Sequence, residues 1–284
     1  MRCLLLLLCG SFLYGDMEEE RTFFRENGYI WIKDFFSENQ VELMRHWAED
    51  IDDASKTLLS LKESSGLSLA YLIQHLPGVP VVVPEASNPL QVCRAEDFLV
   101  CVPGLYQFIA GNVTAYVGQF LQEPYVLFKD KINFKWPGGG AFLPHQDFPA
   151  YEFLGPREHM TAMITIDAAT EENGCLKVAM DWNEEKKVLP FIVGGKEHGA
   201  IEPEYTSKMK WLSLLTSPRD LVLFTSYLPH YSEKNLSQGS RRAMFFTLNR
   251  LTDGDHRSAY YYAKRNDPNN PIFHIGTPTK AHNK

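Results

Sequence analysis

The chain has 284 residues, with 28 Lys and Arg against 35 Asp and Glu, a formal charge of −7 and 44% hydrophobic residues. A chain of this length buries a full core without staples, and the ordinary balance of apolar and charged residues excludes disordered and fibrous classes. The acidic total argues against a nucleic-acid-binding surface. The five cysteines (Cys3, Cys9, Cys93, Cys101 and Cys175) are odd in number and form no CxxC. That pattern suits neither a disulfide framework nor a structural zinc site, and it predicts a reducing, cytoplasmic setting.

No apolar run reaches 18 residues, so no membrane-spanning helix is expected. Residues 1–15, MRCLLLLLCGSFLYG, have the outline of a short signal segment. Met17 heads MEEERTFFRENGYIWIKDFF, which reads as a cytosolic start. Residues 1–16 are therefore either a signal, with export or lipid anchoring as the alternative location, or a start-site artefact. The remainder, 17–284, reads as one unit: a helical support to about 124, a β core over about 125–250, and a C-terminal helix and tail over 251–284.

In chain order, Glu18–Asn27 reads as a helix closed by Gly28, and Tyr29–Asp34 as a strand. Ser37 and Gln40 have capping-box spacing and open a long helix to about Lys62. Four prolines between 77 and 91 predict a loop, and a second helix is expected from about Leu105 to Leu121. From Tyr125 the texture changes to short β-rich runs: VLFKDKINFKW, AFLPHQDF, HMTAMITID, CLKVAM, WLSLL, LVLFTSYL and SRRAMFFTLN, separated by turn signals. Such spacing predicts a sandwich or barrel. DHRSAYYYAKRND is a further helix candidate.

His145-Gln146-Asp147 is the first site candidate. Side chains at i and i+2 of an extended strand share a face, so His145 and Asp147 can grip one ion. With 9 His and 14 Asp in the chain, chance alone gives roughly 0.4 such pairs, so the motif is weak by itself. Three features strengthen it. A PGGG turn (137–140) precedes it, His230 stands where a strand runs into a turn, and Arg241 follows His230 by 11 residues across NLSQG. Both faces of SRRAMFFTLN are largely apolar, so at least one arginine points inward and needs an anion. Two His and one carboxylate leave adjacent coordination positions open, as in non-haem Fe(II) oxygenases. Zinc on the same ligands would instead make a hydrolytic site. An arginine one hairpin away favours the oxygenase, because its fork matches a carboxylate of a 2-oxo acid cosubstrate.

These residues resemble the phytanoyl-CoA dioxygenase family of Fe(II)/2-oxoglutarate oxygenases over about residues 20–265. The ordered set is His145/Asp147, the Asn173-Gly174 turn, His230 and Arg241, with Ser232 inside HYSEKNLSQGSRR. The resemblance implies a mainly β fold with helices, its core a double-stranded β-helix or jelly roll. It implies Fe(II) on His145, Asp147 and His230, 2-oxoglutarate on Arg241 and Ser232, and O2 as co-reactant. Asn133 in KINFK takes the place of another 2-oxoglutarate contact. KINFKWPGGGAFLPHQDFPAY and SYLPHYSEKN resemble the branch that hydroxylates aminoethylphosphonate and its N-methylated relatives. AMDWN (179–183) departs from the family's usual turn after NGCL, on the substrate side.

In KINFK and its flanks, Lys129, Lys131, Asn133 and Lys135 share one strand face, and Ile132, Phe134 and Trp136 the other. An apolar face against the helices would turn the lysines into the barrel, where they suit an anionic or zwitterionic small molecule. Lys131 is thus a substrate-side candidate. Tyr151, Trp182 and Tyr205 are candidates for facing an ammonium group. The competing functions are hydroxylation of an acyl-CoA or other secondary metabolite, and a non-catalytic or other-metal jelly-roll binding protein.

Overall fold

The computed structural model describes residues 17–180, 182 and 187–277. The reading of residues 1–16 lies outside these, as do positions 181 and 183 of the AMDWN departure. Among the described residues no helix is long and apolar enough to cross a membrane, and Cys93, Cys101 and Cys175 are unpaired.

The N-terminal half supplies most of the helices. α1 (Met17–Asn27) leads into strand β1 (Tyr29–Ile32). α2 (Glu38–Ser65) starts at the anticipated box: the Ser37 hydroxyl accepts from the Gln40 N–H, and the Gln40 side chain answers the Ser37 N–H. It ends at Gly66 in the left-handed region. A short α3 (Leu69–His75) follows. The expected helix over 105–121 starts two residues earlier and is three joined pieces. α4 (Pro103–Ile109) has Pro103 in its first turn, Ala110–Thr114 is a π turn, and α5 is Ala115–Leu121.

The proline-rich stretch corrects the expected loop. Val81–Pro84 is strand β2, and Val92–Glu96 is β3. β2 lies at the outer edge of its sheet, where the missing N–H of Pro84 leaves no central ladder bond unmade. β1 to β3 therefore take the β layer into the part of the chain expected to be helical support.

The remaining strands are β4 (Tyr125–Asn133), β5 (Phe142–His145), β6 (His159–Thr165), β7 (Leu176–Ala179), β8 (Trp211–Leu214), β9 (Leu221–Thr225), β10 (His230–Ser232) and β11 (Ala243–Arg250). A seven-stranded sheet runs β1-β9-β6-β11-β4-β3-β2, a four-stranded sheet runs β5-β10-β7-β8, and every pairing is antiparallel. His230, expected in a turn, opens its own short strand. A four-residue helix α6 (Pro203–Thr206) and a longer α7 (Arg257–Asn266) complete the set.

β11 explains its own double apolar pattern. Met244, Phe246 and Leu248 join the core beneath the helices, while Ala243 and Phe245 face the second sheet. A central strand covered on both faces reads as a continuous hydrophobic run. β4 next to it splits as expected: Ile132, with Phe134 just beyond the strand, packs under the helices, and Lys129, Lys131 and Asn133 face the interior between the sheets.

Two histidines outside the suspected metal set, buried His159 and half-buried His274, are neutral. His274 offers Nε2 to the Pro268 carbonyl at 2.7 Å and Nδ1 to Arg94 Nη2 at 3.2 Å, so it has no acceptor for a second proton. Burial, helped by Arg94 and Lys264, pushes it down to about 3. Burial also pushes His159 down to about 3. The unfolded chain takes up these protons near the ordinary histidine value, whereas the native state refuses them. Stability is therefore expected to fall as pH drops below about 6.5, by about 1.4 kcal/mol per pH unit for each residue. Urea titrations at pH 7 and pH 5 measure this. Equal stability at both would contradict it.

Candidate active site

The two sheets bring the metal candidates together through strand register. β5 and β10 pair antiparallel with His230 directly opposite His145. Asp147 follows β5 at the entry to a short 3-10 turn, Phe148–Ala150. The ligand atoms of His145, Asp147 and His230 lie within 4.8 Å of one another, and all three residues are buried. His145 Nε2 is 3.8 Å from Asp147 Oδ1, and the imidazole centroids are 4.3 Å apart.

Each imidazole is oriented from behind. His145 Nδ1 meets the Leu143 carbonyl at 2.6 Å, and His230 Nδ1 meets the Leu228 carbonyl at 2.9 Å. A carbonyl can only accept, so both rings carry their proton on Nδ1 and turn the Nε2 lone pair to the common centre. Burial pushes His145 down to about 3, with His230 adding to it, and burial also lowers His230. Burial alone would raise Asp147, but the imidazoles and lysines around it, His230 and Lys131 first, bring it down to about 2. Two neutral imidazoles and one carboxylate at neutral pH are the donor set that a divalent ion requires. The chain closes tightly over this set. Gly276 has φ +71, and a Cβ there would collide with the His145 ring.

One wall beside the triad carries Arg241, Ser232 and Asn133. Arg241 is 3% exposed; its Nη2 donates to the Gly174 carbonyl at 2.8 Å and its Nε has no protein partner. Asn133 Oδ1 is likewise buried and unpartnered. Burial pushes Arg241 down to about 10, which leaves it a cation. A buried guanidinium with spare donors and no carboxylate bound to it is a site for an anion. Gly174 belongs to the NG turn read in the sequence. Its φ is +73, and a Cβ would collide with the Glu233 carbonyl.

The lining next to Asn133 is also cationic: Arg94 is its cross-strand partner on β3, and Lys131 stands two residues before it on β4. Arg94, Lys129 and Lys131 line the cavity. Behind them Glu96, fully buried, takes Arg94 Nε at 3.0 Å, Lys129 Nζ at 3.7 Å and Lys264 Nζ at 2.7 Å. Lys131 lies 4.6 Å from the Phe245 ring centroid, and burial, partly offset by Asp147, pushes it down to about 8. Arg94 also ties down the C-terminal segment, donating to the Phe273 carbonyl at 3.1 Å and the Thr277 hydroxyl at 3.2 Å.

Placement of the sequence candidates is uneven. His145, Asp147, His230, Arg241, Ser232, Asn133 and Lys131 all meet at this cavity. Tyr151 is buried behind the wall, its ring centroid 5.3 Å from Lys129 Nζ, edge-on to Phe128 and Tyr260 and tilted against His159. Trp182 packs beside Gly28 against the core between the sheets, and half-buried Tyr205 sits on α6. Neither lines the cavity, so the expected aromatic surround for an ammonium group is corrected. Arg94 and the segment around Phe273 and Ile275 were not anticipated. The alternation Arg94, Glu96 within VCRAE carried a signal for an inward charged face; the tail carried none.

A buried His-Asp-His set in a jelly roll, with a buried arginine that keeps a spare donor beside it, defines a non-haem Fe(II)/2-oxoglutarate oxygenase. The sequence model described as phytanoyl-CoA dioxygenase (PhyH) matches residues 103–243. The chain is 37% identical over 249 residues to a 2-aminoethylphosphonate dioxygenase from uncultured bacterium HF130_AEPn_1, covering 87% of each chain. It is 34% identical to a methylphosphonate hydroxylase from Gimesia maris, covering 84% of this chain and 83% of that one. Among solved structures, EctD from S. alaskensis with 2-oxoglutarate and 5-hydroxyectoine has a TM-score of 0.62 at 16% identity, covering 86% of this chain and 80% of that one. The chain belongs to the phytanoyl-CoA dioxygenase family.

Proposed function

We propose that this oxygenase hydroxylates a small phosphonate. The observation that carries the reading is the charge balance at the cavity. Arg94, Lys129, Lys131 and Arg241 line it, and Asp147 is the one carboxylate among its described lining residues; behind them Glu96 and Lys264 pair at 2.7 Å. A metal dication adds to the excess, and one cosubstrate dianion does not remove it. A second, compact dianion brings the cavity close to balance, and a phosphonate is one. The names of the two relatives support the same class.

In this reading Arg241, Ser232 and Asn133 hold the distal carboxylate of 2-oxoglutarate, and His145, Asp147 and His230 hold the iron. Bound iron, with 2-oxoglutarate and O2, supplies the oxidant for C–H cleavage and hydroxyl transfer. The chain's own contribution is positional. Leu143 and Leu228 carbonyls fix the imidazoles, the Arg94, Lys129 and Lys131 wall anchors the anionic end of the substrate, and Phe142, Phe273 and Ile275 exclude water. The chain from 17 to 284 works as one unit, because the C-terminal segment closes the cavity that β5 and β10 open. The unpaired cysteines support a cytoplasmic location.

Substrate-stimulated succinate formation, measured over phosphonates, quaternary amines and acyl-CoA compounds, tests the class. Phosphonates are expected to stimulate it, and stimulation by acyl-CoA alone would overturn the reading. Lys131→Ala is expected to raise KM for the phosphonate by about tenfold or more, the loss of one charge-assisted contact, with KM for 2-oxoglutarate unchanged.

A further inference from the structure

Lys135 has no part in the function described so far, and its setting is unusual. It follows β4 with φ +37, a left-handed conformation uncommon for a lysine. Its side chain is 2% exposed. The ammonium donates to the Ser232 hydroxyl at 2.7 Å, to the Gly174 carbonyl at 3.4 Å and to the Glu233 carbonyl. No carboxylate among the described residues forms an ion pair with it. Arg241 donates to the same Gly174 carbonyl, and the Arg241 N–H donates to the Lys135 carbonyl at 3.1 Å. Two buried basic side chains thus share one carbonyl on the wall assigned to the cosubstrate.

We propose that Lys135 is a positioning residue for 2-oxoglutarate, acting through Ser232. An ammonium has donors only, so the Ser232 oxygen accepts from it and the Ser232 proton is left free to point into the cavity. There it donates to the carboxylate that Arg241 pairs with. A neutral amine at the same place is an acceptor. It draws the Ser232 proton to itself and turns that donor away from the cosubstrate. The proposal rests on the reading that Arg241 and Ser232 hold the distal carboxylate.

The charged surroundings make the ammonium conditional. Burial and then the Arg241 charge push Lys135 down to about 6 in the free protein. Cys93, Cys175 and Glu233 oppose this, and the Phe142 ring lies 5.6 Å away. A carboxylate arriving beside Arg241 favours the protonated lysine. Cosubstrate binding should therefore take up a proton, and affinity should weaken as pH rises above 6.

The test is anaerobic calorimetry of 2-oxoglutarate binding to the manganese-loaded full chain, across pH 6 to 8. The wild type is expected to weaken roughly tenfold over that range, with proton uptake visible as a dependence on buffer ionisation heat. Lys135→Met should bind roughly tenfold more weakly at pH 6 with a flat profile. Lys135→Arg keeps a permanent charge and should bind tightly with a flat profile. Adding Ser232→Ala to Lys135→Met should cost little further, because the two act through one contact. If Arg241→Leu leaves affinity unchanged, the cosubstrate reading itself fails. If Arg241→Leu weakens binding but the wild-type profile is flat, or Lys135→Arg keeps the wild-type slope, the role of Lys135 is overturned. The wild-type profile and Lys135→Arg decide the matter even if Lys135→Met fails to fold.

Discussion

His145→Ala is expected to abolish iron-dependent turnover, with succinate formation falling by at least about a thousandfold. The residue sits at the centre of three dependencies. It supplies one of three ligand atoms within a 4.8 Å cluster. It faces His230 across the β5–β10 ladder. It is held by the Leu143 carbonyl and roofed by Gly276. Removing it leaves one imidazole and one carboxylate, which hold a divalent ion far more weakly than the three-ligand set. Metal content after dialysis, measured beside turnover, separates loss of iron from loss of chemistry. A variant that keeps wild-type turnover would falsify the iron assignment.

Arg241→Leu should act on a different quantity. The guanidinium is the buried cation of the wall proposed for the cosubstrate, and its Nε is unspent among the described residues. Leucine fills similar space with no charge, so the anion loses a charge-assisted pair worth about 2–3 kcal/mol, or roughly 30- to 150-fold in affinity. The expected result is a rise of that size in KM for 2-oxoglutarate, with KM for the small-molecule substrate little changed. The Gly174 carbonyl also loses its donor, so a modest loss of thermal stability should accompany it. An unchanged KM for 2-oxoglutarate would remove Arg241 from the cosubstrate site.

Much of the core and of the metal set was legible in the sequence, for physical reasons. The strand period of two puts His145 and Asp147 within reach of one ion, and the doubly apolar pattern of β11 marks a central strand with one arginine turned inward. Lys131 and Asn133 could be placed because alternating apolar residues on β4 had to meet the helices. What stayed hidden depends on contacts between distant segments. β2 was masked by its prolines, which only an edge position tolerates. Arg94 lies 51 residues before His145 in a strand whose place beside β4 no local pattern reveals. Trp182 and Tyr205 were read as cavity aromatics from residue type alone, and packing took them elsewhere. The segment around Phe273 has no periodicity, and its role comes from being tied to Arg94.

The pairing of His145 with His230 has a meaning in chain entropy. The two residues are 85 positions apart, and an ion gripping both closes a long loop of the unfolded chain, much as a disulfide would. The ladder contributes only a few backbone bonds at that point, since β10 is three residues long. A metal there is a reversible cross-link between the two strands of the small sheet. It fixes their register, because a slip of one residue would turn one imidazole to the opposite face.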